Sequence, residues 1–301
     1  MRILRTPEER FADLPDFRYP PRYAEVADPD GGTLRMAYIE AGPPEGQPVV
    51  LLHGEPSWSY LYRAMLPPLV EAGLRVIVPD LVGFGRSDKP AEIADHSYAR
   101  HVGWTAQLLL EHLALRGMTL LGQDWGGLIG LRIVAEHPDT VDRVVAANTF
   151  LPTGDENLPE VWWRFRHTVQ RASRLDIGRL VAAGCARGLS GAARAGYDAP
   201  FPDESFTAGP RAMPLLVPTA PDDPAAAANR IAWARLGQWH RPFLVAVGDS
   251  DPITGPMGPA LAQHVPGAQG IKHPILAGAG HFIQEDAGEE LARHVLAFVH
   301  R

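Results

Sequence analysis

The stretch Gly122-Gln123-Asp124-Trp125-Gly126-Gly127 has the G-x-x-x-G spacing of a turn that presents a nucleophile between a strand and a helix, but its centre is aspartate where serine is usual. A carboxylate is already ionised and needs no base before it attacks. Attack on an ester carbonyl would give an unproductive anhydride. Attack on a saturated carbon expels a leaving group and leaves an alkyl ester. That ester must then be hydrolysed, so a base is still needed, now to activate water. Asp124 could instead be a plain helix N-cap, but a cap does not account for the glycines on both sides.

The base should lie downstream, because enzymes with this turn run nucleophile, acid, histidine along the chain. His281, in the Gly-flanked GAGHFIQED, is the candidate; most of the other eleven histidines fit polar helix faces or turns. An acid that holds one tautomer of His281 should follow the strand FLVAVG. GDSDP offers two, with Asp251 preferred and Asp249 the alternative. The loop HGEPSWSYLYR follows the strand PVVLL, so the backbone N–H of Glu55 is expected to pair with that of Trp125 in an oxyanion hole. His53 is expected to tie that loop down through backbone hydrogen bonds and not to do chemistry. The indole N–H of Trp125 donates and cannot accept. Such a donor on an apolar ring suits a large, weakly hydrated anion such as chloride or bromide. PEVWWRF offers a second donor in Trp162 or Trp163.

These residues must be positioned by a sheet. PVVLLH (Pro48–His53) and LRVIVP (Leu74–Pro79) are continuously apolar, as fully buried strands are. Leu34–Glu40, Met118–Gly122 and Val141–Asn148 are further strands. Helices are expected over Tyr98–Leu115 and Leu128–His137, the latter stopped by Pro138. Alternating strands and helices argue for a mostly parallel central sheet flanked by helices. The alternation stops after Phe150 and resumes at RPFLVAVG. The reading is a core over residues 1–151 and 226–301, with a helical cap inserted at 152–225. An insert there stands at the strands' C-terminal ends, where open α/β sheets bind ligands.

The bulk numbers agree with one large core. The chain has 301 residues, 46% of them hydrophobic, and a net charge of −7 without a long basic run. Nucleic acid is therefore not an expected partner. No uncharged apolar run nears the ~18 residues that suggest a membrane helix, and the first residues lack the apolar stretch of a secretory signal. Cys185 is the only cysteine, so no intramolecular disulfide can form. A cytoplasmic protein is expected, with Cys185 a small apolar residue and not a nucleophile.

Together, HGEPSWSYLYR, PDLVGFGRSDKP, GQDWGGLIGL, AGYDAPFPD, GDSDPITG and AGHFIQED resemble the haloalkane dehalogenases of the α/β-hydrolase superfamily over nearly the whole chain. The glutamate after His-Gly is similar to their subfamily I. The resemblance implies the α/β-hydrolase fold with a helical cap. It also implies Asp124 as nucleophile, His281 as base, Asp251 as its partner and Trp125 as halide donor. Substrate and product would be a small halogenated hydrocarbon and a halide ion, handled by a monomer with no cofactor and no metal. LPEVWWR matches the family's Leu-Pro-x-x-x-Trp-Arg, which implies Trp163 as the second halide donor, while a register without gaps places Phe165 there. Epoxide hydrolases also carry Asp-Trp in this turn, but they use cap tyrosines to protonate the ring oxygen, and the insert holds only Tyr197. Light-emitting coelenterazine oxygenases, which look similar to the other dehalogenase subfamily, and a catalytically silent binding scaffold are the further alternatives.

Overall fold

The computed structural model describes residues 1–300. An eight-stranded sheet forms its centre, with the order β2-β3-β5-β4-β7-β8-β9-β10. The first three in chain order are β2 (Pro21–Ala27), β3 (Thr33–Ala41) and β4 (Pro48–Leu52). Next come β5 (Arg75–Pro79), β7 (Met118–Gln123), β8 (Val141–Ala147), β9 (Phe243–Gly248) and β10 (Ile275–Leu276). β2 and β3 pair antiparallel, β3 pairs antiparallel with β5, and all pairings from β5 to β10 are parallel. β1 (Ile3–Leu4) and β6 (Lys89–Pro90) make a separate two-stranded ribbon.

The apolar runs give the buried parallel strands. Every residue of β7 is buried, as are four of five in β4 and in β5. β2 was not expected as a strand. It is an edge strand starting at Pro21, exposed on alternate residues near its end, and so lacks the apolar run that marks the central ones. The observed strand ends differ from those expected by a residue or so. Asn148, for instance, lies outside β8 because its φ of 41° breaks the extended backbone.

Helices α1 (Leu66–Glu71), α2 (Tyr98–Ala106), α3 (Trp125–Glu136), α8 (Ala226–Leu236), α9 (Gly258–His264) and α10 (Ile283–Val299) accompany the sheet. α2 runs on into a π-helical stretch, Gln107–His112, within the expected Tyr98–Leu115 helix. α3 starts three residues earlier than expected, so Trp125, Gly126 and Gly127 all belong to it. Between β8 and α8 lie four helices and no strand: α4 (Glu160–Arg171), α5 (Ile177–Gly184), α6 (Gly191–Asp198) and α7 (Ala208–Leu216). Among the described residues no helix is long and apolar enough to cross a membrane.

Candidate active site

β4 pairs with β5 on one side and β7 on the other, so chain connections diverge around it; crevices for ligands open at the strand ends beside such a point. Asp124 stands at the C-terminal end of β7, the last residue before α3, with φ 50° and ψ −123°. That backbone is strained for a residue with a side chain, and the surroundings enforce it. A Cβ on Gly126 would lie 1.9 Å from the Leu52 carbonyl oxygen, and one on Gly122 would lie 2.5 Å from that of Gly126. The strand and helix therefore cross at a distance only glycine permits. The result thrusts the Asp124 carboxylate into a cavity, where the Glu55 N–H donates to its Oδ1 at 2.8 Å.

His281 comes from the loop before α10. Its Nε2 is 3.5 Å from Asp124 Oδ2, and its Nδ1 is 3.2 Å from both carboxylate oxygens of Asp251. Asp251 is buried just past β9. The N–H groups of Ile253, Thr254 and Gly255 and the Thr254 hydroxyl all donate to it, fixing its direction. Burial alone would raise the pKa of Asp251, but the charge of His281 and these hydrogen bonds hold it at about 2. Burial alone would lower that of His281. The charge of Asp251 and hydrogen bonding to Asp124 and Asp251 instead push it up to about 10. The two flanking carboxylates thus favour the protonated form of the imidazole.

The cavity over these groups measures about 340 Å³ and is walled mainly by apolar side chains of the sheet's C-terminal edge and of α4, α5 and α7. That size suits a small molecule. Trp125 and Trp162 line it, and both are buried. The indoles of Trp58 and Trp233 are committed to backbone carbonyls, whereas no described residue accepts from those of Trp125 and Trp162. The side chain of Glu55 forms part of the wall with Oε1 buried and without a partner. Burial and the charge of Asp124 push its pKa well above the usual carboxylate range.

A family model described as the alpha/beta hydrolase fold matches residues 47–288. A haloalkane dehalogenase of Mycolicibacterium paratuberculosis is 52% identical over 99% of this chain and 98% of its own length. One of Psychrobacter cryohalolentis is 50% identical over 100% of this chain and 99% of its own. The chain belongs to the haloalkane dehalogenases. A tetrameric haloalkane dehalogenase from Paraglaciecola agarilytica has the same architecture, with a TM-score of 0.91 at 37% identity over 99% of this chain and 98% of that one.

In this dehalogenase the structure brings together Asp124, His281, Asp251, Glu55 and Trp125. Asp249 is exposed, accepts from Ser250 and Gly278, and does not reach the imidazole. His53 ties its loop down: Nδ1 is 3.0 Å from the Gly54 carbonyl and Nε2 accepts from the Leu81 N–H. The expectation for Trp163 is corrected. Val161, Trp162, Arg164, Phe165 and Thr168 of α4 line the cavity and Trp163 does not. At 3.6 residues per turn Trp163 stands about 160° round the helix from Phe165, and it packs edge-on behind Trp162. Tyr197 also lies outside the cavity, its hydroxyl donating to Glu285.

Two positioning residues escaped the sequence reading. Asn148 donates to the carbonyls of Gly280 and His281 and accepts from the Gly248 N–H, joining the loops that carry His281 and Asp251. Gln123, inside the turn motif itself, donates to the His281 carbonyl. An amide side chain at a strand end carries no spacing signal that would have marked either one.

Proposed function

We propose that Asp124 attacks the halogen-bearing carbon of a small haloalkane, forming an alkyl ester and releasing halide, and that His281 then activates the water that hydrolyses the ester to an alcohol. The observation that carries this reading is a carboxylate at a strained turn, facing an apolar cavity, with a buried His–Asp pair 3.5 Å away. Few polar groups compete to solvate the attacking carboxylate in such a cavity. The Glu55 and Trp125 N–H groups stabilise the oxyanion formed when water adds to the ester. The indole N–H groups of Trp125 and Trp162 receive the halide, with Phe165 supplying apolar wall.

The charge pattern also supports a sequence of events. Alkylation neutralises Asp124 and so withdraws one of the two carboxylates that hold the proton on His281. The imidazole then yields that proton more readily, at the stage when a base is needed. Protonation of a leaving oxygen by cap tyrosines finds no support, because among the described residues no tyrosine lines the cavity. Within the family assignment we place the reaction in the cytoplasm, in keeping with the single cysteine. We assign it to one chain working alone, which sedimentation at assay concentration would distinguish from a tetramer.

His281→Phe tests the division of labour. Asp124 still attacks, so bromide from a bromoalkane is expected at about one equivalent per enzyme before release stops. Intact-mass and peptide measurements should then place the alkyl adduct on the segment holding Asp124. Continued turnover, or an adduct elsewhere, would overturn the assignment.

A further inference from the structure

The loop that carries His281 has a second set of contacts, and these run to the cap. The His281 N–H donates to the Gly184 carbonyl at the end of α5, at 2.8 Å. Six residues on, α10 breaks: Ala287 leaves helical geometry with φ −146° and ψ 35°. Asp286, at that break, is only 5% exposed. Its carboxylate takes three backbone N–H groups at 2.8 Å each. One is that of Gly280, the residue before the base. The other two are those of Ala186 and Arg187, in the linker after α5. The two segments touch so closely that a Cβ on Gly280 would lie 2.5 Å from the Gly184 oxygen, and one on Gly184 would lie 2.7 Å from the Phe282 ring. Asp286 lines no part of the substrate cavity.

We propose that Asp286 is a positioning residue that clamps the α5 end of the cap to the His281 loop and thereby sets the base for ester hydrolysis. The inference rests on the reading of His281 as that base. Asp124 is held independently, by its own turn and by the Glu55 N–H, so the alkylation step does not depend on the clamp. The two half-reactions therefore separate the clamp from a general loss of structure.

Asp286→Asn keeps the shape but replaces one accepting oxygen with an NH2 group that cannot accept, leaving at least one of the three N–H groups without its partner. In the full-length protein, stopped-flow bromide release and quenched intact mass read the two steps. Alkylation is expected to stay within about threefold of the parent, while ester hydrolysis slows by about 10- to 100-fold, the scale on which a small misplacement of a catalytic group acts. The ester should accumulate in the steady state. Amide exchange should quicken together at Gly280, Ala186 and Arg187. Should Asp286→Asn not fold, Ala186→Pro removes a single cap-side N–H behind Cys185, whose backbone is already extended as a residue before proline requires (φ −93°, ψ 132°). It is expected to slow the same step by less. A folded variant that hydrolyses the ester at the parent rate, or that loses both steps equally, overturns the clamp. His281→Phe keeps the two ideas apart. If it traps the ester while the clamp variants hydrolyse normally, only the clamp fails; if it hydrolyses the ester, the base is misassigned.

Discussion

Adjacent tryptophans on α4 show how much one residue of register decides. Trp162 lies on the cavity wall, and Trp163 lies behind it with ring centroids 4.9 Å apart. Trp162→Phe keeps most of the ring and deletes the N–H. Loss of a hydrogen bond to a charged partner is worth roughly 1.5–3 kcal/mol, or about tenfold or more in affinity. Bromide titrated against tryptophan fluorescence should therefore bind at least about tenfold more weakly to Trp162→Phe. Trp163→Phe should differ little from the parent, because it alters only contacts outside the cavity, an edge-to-face one with Trp162 and a cation–π one with Arg166. Equal losses in both variants would remove Trp162 from the halide site. The motif match pointed to Trp163 because a pattern of residue types does not encode the rotation of a short helix. Once the helix start at Glu160 is known, rotation at 3.6 residues per turn puts Val161, Phe165 and Thr168 on one face and Trp163 opposite.

At the scale of elements, the crossing of β7 and α3 is where sequence and structure agree most closely. Gly122, Gly126 and Gly127 were readable as space for a tight turn, and each has atoms where a Cβ would go. Gly126→Ala is expected to destabilise by about 1–3 kcal/mol or more, since its methyl group would meet the Leu52 carbonyl of the neighbouring strand β4 at 1.9 Å and force α3 away from the sheet. Gly103→Ala is the control. It lies within α2, and a Cβ there meets nothing within 4 Å, so relief of helix-interior glycine should stabilise by roughly 0.5–1 kcal/mol. Urea unfolding of the two variants should give shifts of opposite sign; a neutral Gly126→Ala would contradict the crowding. The central strands were legible for a related reason, because strands buried on both faces must be apolar throughout. Edge strand β2 was not, since its pairing depends on β3, which no local pattern in PRYAEVA reveals. Asn148 and Gln123 were hidden likewise: their partners, in the His281 loop, lie more than 130 residues away in sequence.

For the whole molecule, the question is what the helical excursion between β8 and α8 contributes. We take it as a cap over residues 152–225, and its two ends meet on α8: Asn229 donates to the Pro152 carbonyl and Trp233 to that of Leu151, both at 2.6 Å. Replacing 152–225 by a short linker therefore need not stretch the core. Asp124, Asp251 and His281 all belong to the part that remains, and β4, β7, β8 and β9 would still align them. What leaves is Trp162, the apolar roof from α4, α5 and α7, and the cap side of the Asp286 clamp. Water would then solvate the Asp124 carboxylate and weaken its attack, and the leaving halide would lose one donor. Halide release is expected to be lost in a capless variant whose circular dichroism and unfolding transition still report a folded sheet domain. The newly bared apolar surface lowers solubility, so the measurement belongs on the monomeric fraction from size exclusion. Halide release from that fraction at the parent rate would show that the core alone desolvates the nucleophile, and the cap would then be left with substrate selection as its role.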